Sequence, residues 1–83
     1  MTITYTPQGV CSRQMTLEID NGVISSLSVL GGCSGNLQGI ARLVAGMEVD
    51  EAIRRLEGIR CGDKPTSCPD QLSRALRQYQ SEI

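Results

Sequence analysis

The sequence predicts an α+β fold, in which a small antiparallel sheet of two to three strands is followed by about three helices packed on one face. Two observations support this. Residues 13–30 alternate apolar and polar side chains around a DNG turn, and beyond GGCSGN the apolar residues recur at helical spacing. Because the strands come first and the helices follow, we expect a sheet covered by helices on one side.

Two long strands are predicted over residues 13–20 and 23–30. The DNG turn at 20–22 joins them as a hairpin, because Asn and Gly tolerate positive φ. Near the start of the chain, TITY predicts a third, edge strand that ends before Pro7. The side chains that the alternation places on the buried face are Met15, Leu17, Ile19, Leu27 and Val29.

Three helices are predicted after the glycine-rich GGCSGN corner. The first ends at Gly46. The second begins near Asp50 and Glu51, two acids suited to the positive end of a helix, and ends before Gly58. The third starts at Pro69, since proline is favoured at a first helical position. The side chains expected to face the sheet are Leu37, Ile40, Ala41 and Val44, then Ala52, Ile53 and Leu56, and finally Leu72, Ala75, Leu76 and Tyr79.

The 83 residues have room for one domain, which we assign to residues 1–83. A domain of this size buries only roughly 60% of its unfolded surface, so a metal, a covalent staple or a partner subunit is expected to add stability. Its aromatic residues are Tyr5 and Tyr79, and aliphatic side chains must therefore build the core.

The distribution of charged residues limits the classes of molecule that the protein is expected to bind. Net charge is −1 and the basic residues are scattered, which argues against binding to nucleic acid or an anionic membrane. No apolar run approaches the roughly 20 residues of a transmembrane helix, and the first residues lack the pattern of a signal peptide. We therefore expect a cytoplasmic protein. The sequence leaves open whether it forms a homodimer or binds another protein.

The cysteines carry the main functional signal. Cys11, Cys33, Cys61 and Cys68 all fall at the ends of predicted elements, where folding can bring them together. A reducing cytosol keeps thiols free, which favours metal binding or redox chemistry over structural disulfides. Cys33 and Cys68 lie at helix starts, whose free N–H groups stabilise a thiolate. Four thiols without histidine suit a tetrahedral zinc site or an iron–sulfur centre.

Two alternatives use the same segments differently. A six-residue spacer containing Gly62 and Pro65 separates Cys61 from Cys68, so these thiols could cycle between dithiol and disulfide. The glycine amides of GGCSGN could instead bind the phosphate of a nucleotide or flavin. The residues assigned to that ligand site are Gly31, Gly32, Ser34, Gly35 and Asn36.

Catalytic residues are not assigned. The chain has no histidine and no paired carboxylates that would act as general acid and base, so we expect a binding protein rather than an enzyme. Asp70 is expected to stabilise the start of the third helix rather than to take part in catalysis.

Four short motifs carry a family resemblance: TSCPDQ at 66–71, GGCSGN at 31–36, CS at 11–12 and GIRCGDKPTSC at 58–68. Together they resemble the small TSCPD-domain proteins with four cysteines, over nearly the whole chain. They also resemble the TSCPD segment at the C-terminal end of cobalamin-dependent ribonucleotide reductases. The resemblance implies one small domain in which the cysteines bind metal.

A more distant resemblance is to the iron–sulfur scaffold proteins of the IscU and NifU type. It rests on the first cysteine, the stretch from MTLEID to GMEVDEA, and a last cysteine before a C-terminal helix. It implies a sandwich of sheet and helices. By position, Cys11, Cys33 and Cys68 would match the zinc or cluster ligands, with Cys61 as an addition.

Overall fold

The predicted α+β architecture is confirmed in the residues that the computed structural model describes, 1–10, 12–32 and 34–82. Within them, three antiparallel strands form one sheet in the order β1-β2-β3, and three helices follow. The strands are β1 (Thr2–Tyr5), β2 (Ser12–Asp20) and β3 (Val23–Gly31), and the helices are α1 (Ser34–Val44), α2 (Val49–Leu56) and α3 (Cys68–Glu82).

The hairpin between β2 and β3 has the predicted turn. Asp20 pairs with Val23, and the two residues between them, Asn21 and Gly22, have φ values of 53° and 76°. Both values lie in the left-handed region that Asn and Gly tolerate. The predicted side chains of β2 are buried as expected, and they are Met15, Leu17 and Ile19.

A bulge in β3 changes which of its side chains face the core. Glu18 pairs with Ser26 while Ile19 pairs with Ile24, so Ser25 is an extra residue in β3. The bulge places Ile24 on the same face as Leu27, three residues away, and both are buried. Strict alternation misses Ile24 because it assumes a period of two throughout the strand.

A second register shift lies at the start of β2. Ser12 pairs with Gly31 and Gln14 pairs with Leu30, which leaves Arg13 without a partner residue in β3. Ser12 consequently shares a face with Met15 and is only 3% exposed. This shift turns a polar residue next to Cys11 toward the helices.

The helices cover the face of the sheet that these side chains form. In α1, Gly46 follows the last turn with φ 85°, as predicted for a helix end. Val29, Ile40, Ala41 and Leu56 are half-buried against the core rather than enclosed in it. The apolar helical side chains that are buried are Leu37, Val44, Val49, Ala52, Ile53, Leu72, Ala75, Leu76 and Tyr79.

Candidate thiol site

Two of the four predicted thiols lie within the described residues. Cys61 is exposed in the loop between α2 and α3, and Cys68 is the partly buried first residue of α3; both are free thiols. Cys11 and Cys33 lie outside the described residues. Among the residues that are described, no group of three or more His, Cys, Asp or Glu side chains is arranged to hold a metal ion.

Cys68 contacts Ser12, which belongs to the CS motif but has no function assigned to it by the sequence patterns. Its Sγ lies 3.3 Å from Ser12 Oγ, within hydrogen-bond distance for sulfur. Ser12 reaches this position because the register shift at Arg13 turns it inward. The contact therefore brings the residue that follows Cys11 to the start of α3.

The glycines that precede Cys33 also pack at this place. Gly31 pairs with Ser12 at the end of β3, and Gly32 has φ +74°. A Cβ on Gly32 would lie 2.8 Å from Leu37 Cδ1 and 3.3 Å from the backbone nitrogen of Ser12. Only glycine fits both this space and this backbone conformation.

The loop that carries Cys61 folds back toward α3. The Cys61 N–H donates to the carbonyl oxygen of Thr66 at 3.2 Å, and the Lys64 N–H donates to the carbonyl oxygen of Cys61 at 3.0 Å. Gly62, at φ 58°, lies inside this turn. The fold-back lies within the six-residue spacer between Cys61 and Cys68, which contains this glycine and Pro65.

A cleft of about 480 Å³ connects the two described thiols with α1. Its walls are mainly aliphatic, and Leu43 is 75% exposed beside it. Cys61 and Cys68 lie at the end where α3 begins. The residues that line the cleft are Asn36, Leu37, Gly39, Ile40, Leu43, Cys61, Ser67, Cys68 and Pro69.

The polar residues of the TSCPDQ segment hold the start of α3 in place. Ser67 Oγ accepts from the backbone N–H of Asp70 at 3.2 Å and donates to the carbonyl oxygen of Ile59 at 2.7 Å. The first of these bonds is an N-terminal helix cap. The second bond ties the cap to the loop after α2. Cys68 therefore lies between Ser67 and Asp70, which these bonds hold in place.

Gln71 connects the same segment to the N-terminal strand. It is 1% exposed, and its Oε1 accepts from Tyr5 Oη at 3.2 Å and from the backbone N–H of Gln8 at 2.9 Å. Its Nε2 donates to Thr66 Oγ1 at 2.9 Å. These bonds satisfy a buried amide that would otherwise destabilise the fold.

Asp70 is a structural anion, as expected from its place in the first turn of α3. Its carboxylate accepts hydrogen bonds from the Thr66 hydroxyl and from the backbone N–H of Gly58, and it lies 3.3 Å from Arg74 Nε. The Thr66 bond, followed by the Gly58 bond, lowers the pKa of Asp70 below its usual value. Thr66, Ser67, Asp70 and Gln71 are thus all engaged in holding the fold.

The residues of the predicted phosphate site are distributed over a strand end and a helix start. Gly31 ends β3, Ser34 begins α1, and Asn36 is exposed at the thiol cleft. A Cβ on Gly35 would meet no atom within 4 Å, whereas Gly32 is packed against Leu37. The packing explains Gly32 without a ligand, and phosphate binding stays a prediction.

None of the helices in residues 1–10, 12–32 and 34–82 combines the length and the apolar character needed to cross a membrane. No curated protein and no solved structure matches the chain significantly, so the likeness to iron–sulfur scaffolds stays a resemblance. The family model of the TSCPD domain matches residues 1–80. Because this match spans nearly the whole chain, including the segment that caps α3 around Cys68, the chain belongs to the TSCPD domain family.

Proposed function

We propose that this domain binds one metal centre, zinc or an iron–sulfur cluster, through the thiolates of Cys11, Cys33, Cys61 and Cys68. The observation that carries the proposal is the 3.3 Å contact between Ser12 Oγ and Cys68 Sγ. It joins the strand that follows the first cysteine to the helix that begins with the last one. Cys61 lines the same cleft as Cys68.

The neighbours of the remaining two cysteines support convergence. Ser12 follows Cys11 in the sequence and Gly32 precedes Cys33. Ser12 and Gly32 pack so closely that a Cβ on the glycine would lie 3.3 Å from the serine nitrogen. Consecutive Cα atoms are about 3.8 Å apart, so Cys11 and Cys33 are each one peptide bond away from this packed pair, and we propose that their thiols share a centre with Cys68.

The donor set fits a soft metal. Thiolates are the ligands that zinc and iron–sulfur clusters accept, and the chain supplies four of them with no histidine. Cys68 is the first residue of a 15-residue helix, and its partly buried sulfur lies beside Ser12 at the cleft that Cys61 also lines. When bound, the metal contributes its binding free energy to folding, which a small core needs.

The proposed role is binding rather than catalysis, and it requires reduced thiols. The cytoplasm provides such conditions, and this is the compartment we propose.

Anaerobic purification followed by elemental analysis and an ultraviolet–visible spectrum of the same sample tests the proposal. We expect about one zinc ion per chain, or iron with thiolate charge-transfer absorbance. Cys33→Ser and Cys68→Ser should each lose the metal together with stability. Tyr5→Phe is the control, because it removes one hydrogen bond to Gln71 and keeps every thiol. A stable protein with four free thiols that takes up neither zinc nor iron would overturn the proposal.

A second candidate is thiol–disulfide exchange between Cys61 and Cys68, favoured by their presence as free thiols in one cleft. Oxidation would form the S–S bond, release the two thiol protons and pass two electrons to a partner disulfide, which is reduced to thiols. A metal-free protein that reversibly loses two titratable thiols, and no longer does so after Cys61→Ser, would support this candidate over metal binding.

A further inference from the structure

The free edge of β3 is the longest exposed strand edge in the described residues. β3 spans nine residues and lies at one side of the sheet, with β2 on its other side. Its first part is covered, because the Ile24 N–H donates to the carbonyl oxygen of Met47 and the Gly46 N–H donates to the carbonyl oxygen of Ile24. Beyond Ile24, no further backbone bond from this edge occurs within the described part of the chain.

This edge lacks the features that usually prevent strands from pairing. Edge strands are commonly short, charged or interrupted by proline. VISSLSVLG contains no charged residue and no proline, and its bulge at Ser25 lies next to the covered end. The opposite edge strand, β1, is only four residues long. The two edges of one sheet therefore differ in their protection.

The same edge exposes apolar side chains on both faces of the sheet. Leu30 is 60% exposed on the outer face, and Val29 is only half-buried on the inner face. A cleft of about 340 Å³ runs between this edge and α1, with Leu27, Leu37 and Ala41 among its lining residues. A strand added at this edge would bury apolar surface that the monomer leaves in water.

The backbone groups of this edge are arranged for symmetric pairing. Successive residues of a strand alternate in the face of the sheet that their side chains occupy and, in step with it, in the edge of the strand toward which their N–H and C=O groups point. Ile24 is buried, and its backbone N–H and C=O point to the free edge, where they bond to Met47 and Gly46. Leu27 and Val29 lie on the same face of the sheet as Ile24. Their N–H and C=O groups therefore also point to the free edge. An antiparallel second copy with its axis at Ser28 would pair Leu27 with the partner's Val29.

We propose that β3 pairs with β3 of a second copy of this chain, so that the two sheets join into one across a two-fold axis at Ser28. The absence of charged residues from β3 favours a second copy of this chain as the partner at the edge. A symmetric junction places each residue near its own counterpart or a close neighbour, and like charges there would repel. The nine neutral residues of β3 meet that requirement. The pairing involves no cysteine and goes beyond the proposed function.

The test compares Ser28→Asp with Thr4→Asp. Thr4, Thr16 and Ser28 form one row on the outer face, and Thr4 and Ser28 are exposed at opposite edges. Both variants add the same charge on that face, but only Ser28→Asp places two carboxylates together at the axis. Sedimentation velocity with reductant and chelator should give a dimer for the wild type and for Thr4→Asp, and a 9.0 kDa monomer for Ser28→Asp.

Amide hydrogen exchange gives a second measurement that needs no variant. Protection of the Leu27 and Val29 amides should rise with protein concentration, while the Ile24 amide, bonded to Met47 within one chain, should not respond. A wild type that stays monomeric throughout overturns the proposal. A dimer that persists in Ser28→Asp, or leaves the Leu27 and Val29 amides unprotected, overturns it as well.

Discussion

Ser12 and Cys68 lie 56 residues apart in the sequence, and their side chains meet with Oγ and Sγ 3.3 Å apart. Two local features make this contact. The register shift at Arg13 turns Ser12 toward the helices, and the Ser67 cap fixes the first turn of α3. The relation between strand and helix at the thiol site therefore depends on the pairing of Ser12 with Gly31 and on one helix cap.

Ser12→Ala is expected to weaken metal binding while the fold persists. The substitution removes the hydroxyl that lies against Cys68 Sγ and leaves every thiol in place. Groups that bond to metal ligands typically affect metal affinity by about 10- to 100-fold, so we expect a loss of about tenfold or more. Competition with a chromophoric chelator measures the affinity.

Ser25→Ala is the matched control for that variant. It also deletes a serine hydroxyl with one hydrogen bond, here to the exposed carboxylate of Asp20 in the hairpin. Its metal affinity should equal that of the wild type. Equal affinities for the wild type and Ser12→Ala would show that Ser12 does not act on the bound centre.

Asp70→Asn should destabilise the protein in a pH-dependent way. Hydrogen bonds from Thr66 and Gly58 hold the pKa of Asp70 below its usual 3.8, so the stabilisation is complete well above that pH. It is lost as the pH falls through the folded-state pKa. We expect the variant to lose about 1.5–3 kcal/mol of unfolding free energy at neutral pH, and less in acid. Urea denaturation at several pH values measures the difference.

Asp63→Asn serves as the comparison, since Asp63 is exposed in the turn after Cys61. Its unfolding free energy should follow that of the wild type across the same pH range. A constant gap between Asp70→Asn and the wild type down to strongly acidic pH would contradict a role for the charged carboxylate.

The regular elements could be predicted because their patterns are local. Met15, Leu17 and Ile19 alternate along an unbroken stretch of β2, and the left-handed turn at Asn21 and Gly22 follows from the residue types alone. The helices were likewise predicted from their apolar spacing. Periodicity sufficed wherever the register was regular.

The candidate site could be predicted less completely, because it depends on irregular backbone. Each bulge adds one residue and reverses the alternation, so Ile24 and Ser12 face the core where a period of two places them outside. Gln71 was missed because a buried amide is recognisable only from its distant partners, such as Tyr5 and Gln8. Ser12 belongs to the CS motif, but that motif does not predict which side chain the serine contacts.

Gly32→Ala should destabilise the fold by about 2 kcal/mol or more. At φ +74° an alanine is strained, and its Cβ would lie 2.8 Å from Leu37 Cδ1. Gly39→Ala is the control, because it lies in the interior of α1 with no atom near the added Cβ. That variant should gain about 0.5–1 kcal/mol. Thermal unfolding followed by circular dichroism compares them, and a neutral Gly32→Ala would contradict the tight packing against Leu37.

Deletion of Arg13 tests whether the thiol site needs the inward face of Ser12 or the extra residue itself. Without Arg13, Ser12 and Gln14 are consecutive and pair regularly with Gly31 and Leu30, so Ser12 stays on the inner face, opposite to Gln14. Arg13→Ala keeps the residue count and the register shift. We expect both variants to retain the sheet and helices by circular dichroism and to bind metal like the wild type, because Ser12 keeps its contact with Cys68 in each. If the deletion variant folds but loses most of the metal affinity that Arg13→Ala retains, the site depends on the extra residue rather than on the inward face of Ser12.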